Sequence, residues 1–286
     1  MAVLFGLLTA LSNALAVTMQ HIASTSESKH SSWWRLILYL LRHPLWLLGW
    51  VAMLGSLVFQ ALALHFGPLS VVQPLLVTEL IMALALRRIW LRQTIEFASW
   101  VAAAVTGAGL IAFLVATSPT ESAYTPDARG WIVASALSLG AVAVLVAMAQ
   151  RGSPSRRAGL FGAATAISWA IEATFIKATT DTISAYGVGG VFEHWPVYAL
   201  VVGGAIGLFC EQSALHVGPL AVSQPFIVIV DPIVSVMLGV WLYHERLQVG
   251  AANLAVGFIG FTVMCVGIVA MTRTAPPTLS ADVRRI

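Results

Sequence analysis

Four acidic residues stand inside runs of apolar sequence: Glu79, Glu172, Glu211 and Asp231. An ionisable group is costly to hold at membrane depth, so each is a candidate for binding a cation or carrying a proton. Glu79 lies eleven residues past Pro68 and Asp231 twelve past Pro219. At a helical rise of 1.5 Å per residue both would sit about 16–18 Å in, close to the bilayer middle. Gln224 and Asp231 are seven apart and share a helix face. Glu211 lies seven residues before Gly218 and Gln224 six after it, so a hairpin there would let the two meet; Gln60 and Gln73 are placed in the same way about Gly67. The candidate substrate- or ion-binding residues are therefore Asp231, Glu211, Gln224, Gln73, Glu79, Glu172 and Gln60. The competing role for the acids is a protonated hydrogen bond between helices. For the glutamines it is plain helix–helix bonding, which polar side chains supply in membranes. Lys177 falls at a span end, so basic residues are missing at the depth of the acids. The cavity should then prefer cations, or keep protons on its carboxylates, and its oxygen ligands would also suit hydrated Mg²⁺.

The elements that must position these residues are membrane helices. Of 286 residues, 59% are hydrophobic and 9% charged, with mean hydropathy +0.88, whereas soluble domains carry about 25% charged residues. This excludes a soluble enzyme or nucleic-acid-binding domain and predicts an all-α polytopic membrane protein. Nine spans are expected, at about 1–22, 45–66, 68–86, 97–117, 130–150, 158–177, 196–217, 219–242 and 249–272. The first lacks a basic start or a small-residue cleavage site and reads as a retained span, not a signal peptide. Residues 33–41 are apolar but too short to cross; they read as an interfacial helix, with part of a tenth span as the alternative. Residues 118–129, 152–157 and 179–194 read as loops, and 274–286 as a disordered tail.

One stretch occurs twice. Residues 63–74, ALHFGPLSVVQP, return as 214–225, ALHVGPLAVSQP, with nine of twelve positions identical at an offset of 151. Each Gly-Pro reads as a tight hairpin, the glycine taking the chain out of one helix and the proline opening the next. Residues 5–12 match 161–168 at an offset of 156. The single membrane domain thus divides into repeat one (2–117), a linking helix (130–150) and repeat two (158–272). Equivalent spans are five apart, so they cross in opposite directions, as in the inverted repeats of secondary transporters. The two hairpins should turn on opposite faces. With nine spans, twelve of the fifteen Lys and Arg fall on the side of the C-terminus and three on the other. The positive-inside rule places the C-terminus in the cytoplasm and the N-terminus outside.

Other residues have simpler readings. His65 and His216 are hydrogen-bonding groups at the hairpin ends, not metal ligands, because no second ligand stands at metal spacing. Glu245 is a turn or helix-start residue. The Trp residues are mainly interfacial anchors, and the glycines at 203, 204 and 207 and in the last span serve close packing. Cys210 and Cys265 fit neither a disulfide framework nor a metal site. No nucleophile or zinc-hydrolase motif is present, since residues 244–248 read HERLQ.

The repeated Gly-Pro hairpin with its Gln-Pro resembles the drug/metabolite transporter superfamily. In the second half Pro225, Pro232, residues 242–247 (LYHERL), Gly250, Gly257, Gly260 and Gly267 are similar to its EamA-type half-domain. The first half departs, with Thr94 where Glu245 stands in the second. Nine spans and the GPL-x-V-x-QP wording are most similar to the NIPA-type branch, which is associated with magnesium. The resemblance implies a plasma-membrane transporter without a cofactor, moving a small cationic or neutral metabolite or drug by alternating access. Divalent-cation transport is the alternative, and a non-transporting scaffold a second. The expected partners are the substrate and the lipid bilayer; a homodimer is compatible, and no nucleic acid is called for.

Overall fold

The computed structural model describes residues 1–25, 43–90, 92, 94–122, 124–218, 220–248 and 250–274. The helices are α1 (Ala2–Thr25), α2 (Pro44–His65), α3 (Leu69–Leu76), α4 (Thr78–Ile89), α5 (Phe97–Thr117), α6 (Ala128–Met148), α7 (Pro154–Gly190), α8 (Pro196–Val217), α9 (Leu220–Leu242) and α10 (Ala251–Thr274). Taking α3 and α4 as one span, nine helices among the described residues are long and apolar enough to cross a membrane. Residues 33–41 and the tail beyond 274 lie outside the described residues. Nine crossings leave the chain ends on opposite faces. A single cysteine appended to either end, tested with an impermeant thiol reagent, should label from opposite sides; labelling from one side would require another crossing between α1 and α2.

Each half is built on its first helix. α1 packs on α2, α3 and α4, and α7 packs on α8 and α9. The packing residues repeat. Thr9 donates to the Phe5 carbonyl at 2.8 Å, and Thr165 does the same to Phe161. Ala10 and Ala14, and their counterparts Ala166 and Ala170, have no exposed surface. A Cβ added to Gly6 would lie 2.6 Å from Leu75 Cδ2, and one on the equivalent Gly162 would lie 3.3 Å from Phe226 Cβ.

The halves meet at α5 and α10, which cross through small residues. Gly109 lies against the Gly260 carbonyl and the Met264 amide, and Gly260 against the Gly109 carbonyl and the Phe113 amide. Gly267 touches Thr106, and Gly257 touches Ala116 and Thr117. Partners fall along α5 as they rise along α10, so the helices are antiparallel. Gly109 and Gly260 are 151 apart, which makes each the counterpart of the residue it touches. That reciprocity is a two-fold axis across the helices, the geometry of an inverted repeat.

The hairpins lie at opposite ends. A Cβ on Gly218 would sit 2.5 Å from the Pro154 carbonyl and 2.8 Å from Ala158 Cβ, at the start of α7. The Gly67 carbonyl accepts from Lys177 Nζ at 3.4 Å, 23 residues further along the same helix. At 1.5 Å per residue that is about 35 Å, a bilayer's thickness. Neither glycine has positive φ, and Gly218 is extended at φ −164°. Close approach, to Ala2 for Gly67 and to Pro154 and Ala158 for Gly218, is what excludes a side chain there. This corrects the expectation of a conformational role.

One further expectation changes. Residues 179–190 are helix, not loop: α7 is 37 residues long and bends at Gly187, φ 74°. Its hydroxyls bond back to the preceding turn, Thr180 to Ile176, Thr182 to Ala178 and Ser184 to Thr180. The prolines also act unequally. Pro225 and Pro232 stay inside the unbroken α9, whereas α3 and α4 are divided by a tightened turn at Val77, three residues past Pro74, where the backbone keeps helical dihedrals.

Candidate functional site

A tightened turn at Val77 precedes the first acid. Pro74 has no N–H, and the helix tightens after it. Val77 N–H donates to the Pro74 carbonyl at 3.2 Å, and Thr78 Oγ1 to the Leu75 carbonyl at 2.7 Å. Glu79 follows in the first turn of α4. Its Oε2 accepts from Asn13 Nδ2 of α1 at 3.2 Å, and its carboxylate is within range of the charge on Glu211 of α8.

The other two acids lie on helices that pack together. Glu172 of α7 is within range of the charge on Asp231 of α9. Asp231 Oδ1 accepts from Ser235 Oγ, one turn on in the same helix, at 3.0 Å. Glu172 lies over glycines of α8: a Cβ on Gly204 would be 3.0 Å from its Oε1. Gly203 and Gly204 therefore allow the helix to approach a carboxylate as well as a neighbouring helix. All four acids are half-buried. Among the described residues none is paired with a Lys, Arg or His.

The structure bonds Glu79 to Asn13 of α1 and Asp231 to Ser235 of its own helix, and sets Glu172 against Gly204 of α8. The sequence-based expectation joined Glu211, Gln224 and Asp231 along one hairpin. No hydrogen bond links Gln224 to either acid among the described residues, and Gln224 and Gln60 are half-buried without a site partner. Gln73 is 2% exposed, with Nε2 unbonded. Asn13 and Ser235 were not singled out in the sequence; a polar residue four past Asp231 was the one available signal. No group of three or more His, Cys, Asp or Glu side chains converges to hold a metal ion among the described residues. Direct coordination of a stripped divalent ion thus has no ligand set there.

Lys177 is more enclosed than a span-end residue suggests, at 7% exposed. It nevertheless lies at the level of the first hairpin, donating to the Leu64 carbonyl at 2.7 Å and pairing with Glu121. Among the described residues the four acids remain without a counter-charge.

These features define a polytopic, all-helical membrane protein of two inverted halves, with carboxylates held unpaired in its interior. Over 290 residues the chain is 28% identical to an uncharacterised protein of Corynebacterium glutamicum, covering 100% of this chain and 98% of that relative. No protein-family profile matches the chain, and no solved structure matches it.

Proposed function

We propose that the protein is a secondary transporter of a small cationic or neutral metabolite or drug, working by alternating access in the plasma membrane. One observation carries this reading: four half-buried carboxylates on helices of both inverted halves, none with a basic partner among the described residues. Unpaired carboxylates in a membrane interior are paid for only by a bound cation or a proton. The resemblance to the drug/metabolite transporter superfamily agrees with this assignment, as does the inverted architecture. In it the first-hairpin end faces outward and the C-terminus lies in the cytoplasm, as the distribution of Lys and Arg favours.

Purified protein in proteoliposomes should move at least one member of a panel of organic cations and neutral amines, with uptake dependent on an imposed pH gradient. Mg²⁺ belongs in the same panel. Saturable Mg²⁺ flux without organic-cation flux would replace the proposal with the divalent-cation alternative. No flux of any member under any gradient would leave only the scaffold reading.

A further inference from the structure

Glu245 lies in the loop between α9 and α10, yet its carboxylate is 4% exposed. It acts as a helix-start residue, but for α3 in the other half. Its Oε1 accepts from the Leu69 amide at 2.6 Å; its Oε2 accepts from the Ser70 amide at 2.9 Å and from Ser70 Oγ. An anion at these amides satisfies donors that a helix start leaves open and complements its dipole. Gly239 leaves room for the clasp: a Cβ there would collide with Glu245 Oε2 and lie 2.7 Å from Ser70 Oγ.

The other arm of the same hairpin is held by the opposite charge. The ammonium of Lys177 caps the end of α2 through the Leu64 and Gly67 carbonyls and pairs with Glu121. It also lies 5.6 Å above the ring of Tyr243, whose hydroxyl donates to the Thr174 carbonyl at 3.0 Å. Thr120 and Arg246 exchange backbone hydrogen bonds at 2.9 and 3.1 Å, tying the two adjoining loops together. Both charges come from the second half and grip the first.

The other end of the molecule is not built this way. At the offset of 151 the counterparts of Ser70, Gly239 and Glu245 are Ala221, Arg88 and Thr94. The hydroxyl, the space and the carboxylate are all replaced, and Thr94 is exposed. In a chain whose packing residues repeat so closely, the residues of the clasp have no like counterparts in the other half.

We infer that the Glu245–Ser70 clasp and the Lys177 cap form a gate that closes the first-hairpin end and must release for that end to open. This rests on the transporter reading above and adds which end is shut and by which residues. The test uses full-length protein with Cys210→Ser and Cys265→Ser, and Thr174→Cys as reporter behind the gate; Thr174 has no exposed surface. An impermeant thiol reagent is added from the first-hairpin side. With the gate intact labelling should be slow. Glu245→Gln, Gly239→Ala and Lys177→Met should each raise its rate about tenfold or more, with the melting temperature of the folded protein retained. Parent-like labelling in folded variants would overturn the gate. So would acceleration that only tracks loss of folded protein, or failure of all three variants to fold, since either assigns these contacts to assembly alone. Labelling needs no substrate, so absent flux in vesicles would count against transport and leave the gate to be judged on its own.

Discussion

Asp231→Asn is expected to lower flux of the transported cation about a hundredfold in proteoliposomes while the protein still inserts and folds. The substitution keeps the shape of the side chain and an oxygen to accept the Ser235 hydroxyl, now bonded at 3.0 Å. What it removes is the charge. A cation left in a low-dielectric cavity without its counter-charge loses pairing as well as hydration, a cost of about 3 kcal/mol or more, and about 1.4 kcal/mol is tenfold. Glu172 lies within range of the Asp231 charge, so Glu172→Gln should reduce flux too. Ser235→Ala should act more weakly, because it removes one hydrogen bond and leaves the charge. Unchanged uptake and unchanged pH dependence in Asp231→Asn would take this residue out of the site and leave Glu79 and Glu211 as the pair to test.

Gly109→Ala is expected to cost roughly 1–3 kcal/mol of stability, in the range of overpacking a well-packed interior. Its Cβ would meet the Met264 amide and come within 2.6 Å of the Gly260 carbonyl, both backbone atoms that no rotamer change can move aside. Gly260→Ala should behave alike, since it meets the Phe113 amide at 2.7 Å. The control is Gly55→Ala, where nothing lies within 4 Å of the new methyl. It should be neutral, or gain up to about 1 kcal/mol from reduced backbone freedom. Thermal unfolding in detergent by tryptophan fluorescence separates these cases. Equal melting temperatures for Gly109→Ala and Gly55→Ala would show that the α5–α10 crossing is looser than described.

The spans and their duplication were legible because both are written locally. Apolar runs of sufficient length mark the helices, and the matches at 63–74 and 5–12 lie within single hairpins or helices. The partners of the acids were not legible. Asn13 and Glu79 are 66 residues apart in sequence, and the helices that carry Glu172 and Asp231 come together only through the packing of α7 on α9. Spacing along one hairpin reaches Gln224 from Glu211 but carries no information about a third helix. The residues past Lys177 misled for another reason: Thr, Ser and Gly mark loops on average, yet here the hydroxyls bond back into their own helix. The reason for glycine at the two hairpins was not legible either, because the crowding by Ala2, Pro154 and Ala158 comes from helices distant in sequence.

α6 contributes little to the packing: Ala134, Ser138 and Val142 are its buried residues, and its main neighbour is α7. Its importance lies in connectivity. Four helices return a chain to the face where it began, so a second four-helix unit fused directly to the first would point the same way, and Gly109 could not face Gly260 head to tail. One additional crossing reverses the second unit. The reciprocal contact between α5 and α10 is also self-complementary, so two separate copies of one half, inserted in opposite senses, already possess the surface needed to pair. In the single chain, α6 performs by covalent linkage what such a pair would have to achieve by inserting half its copies upside down.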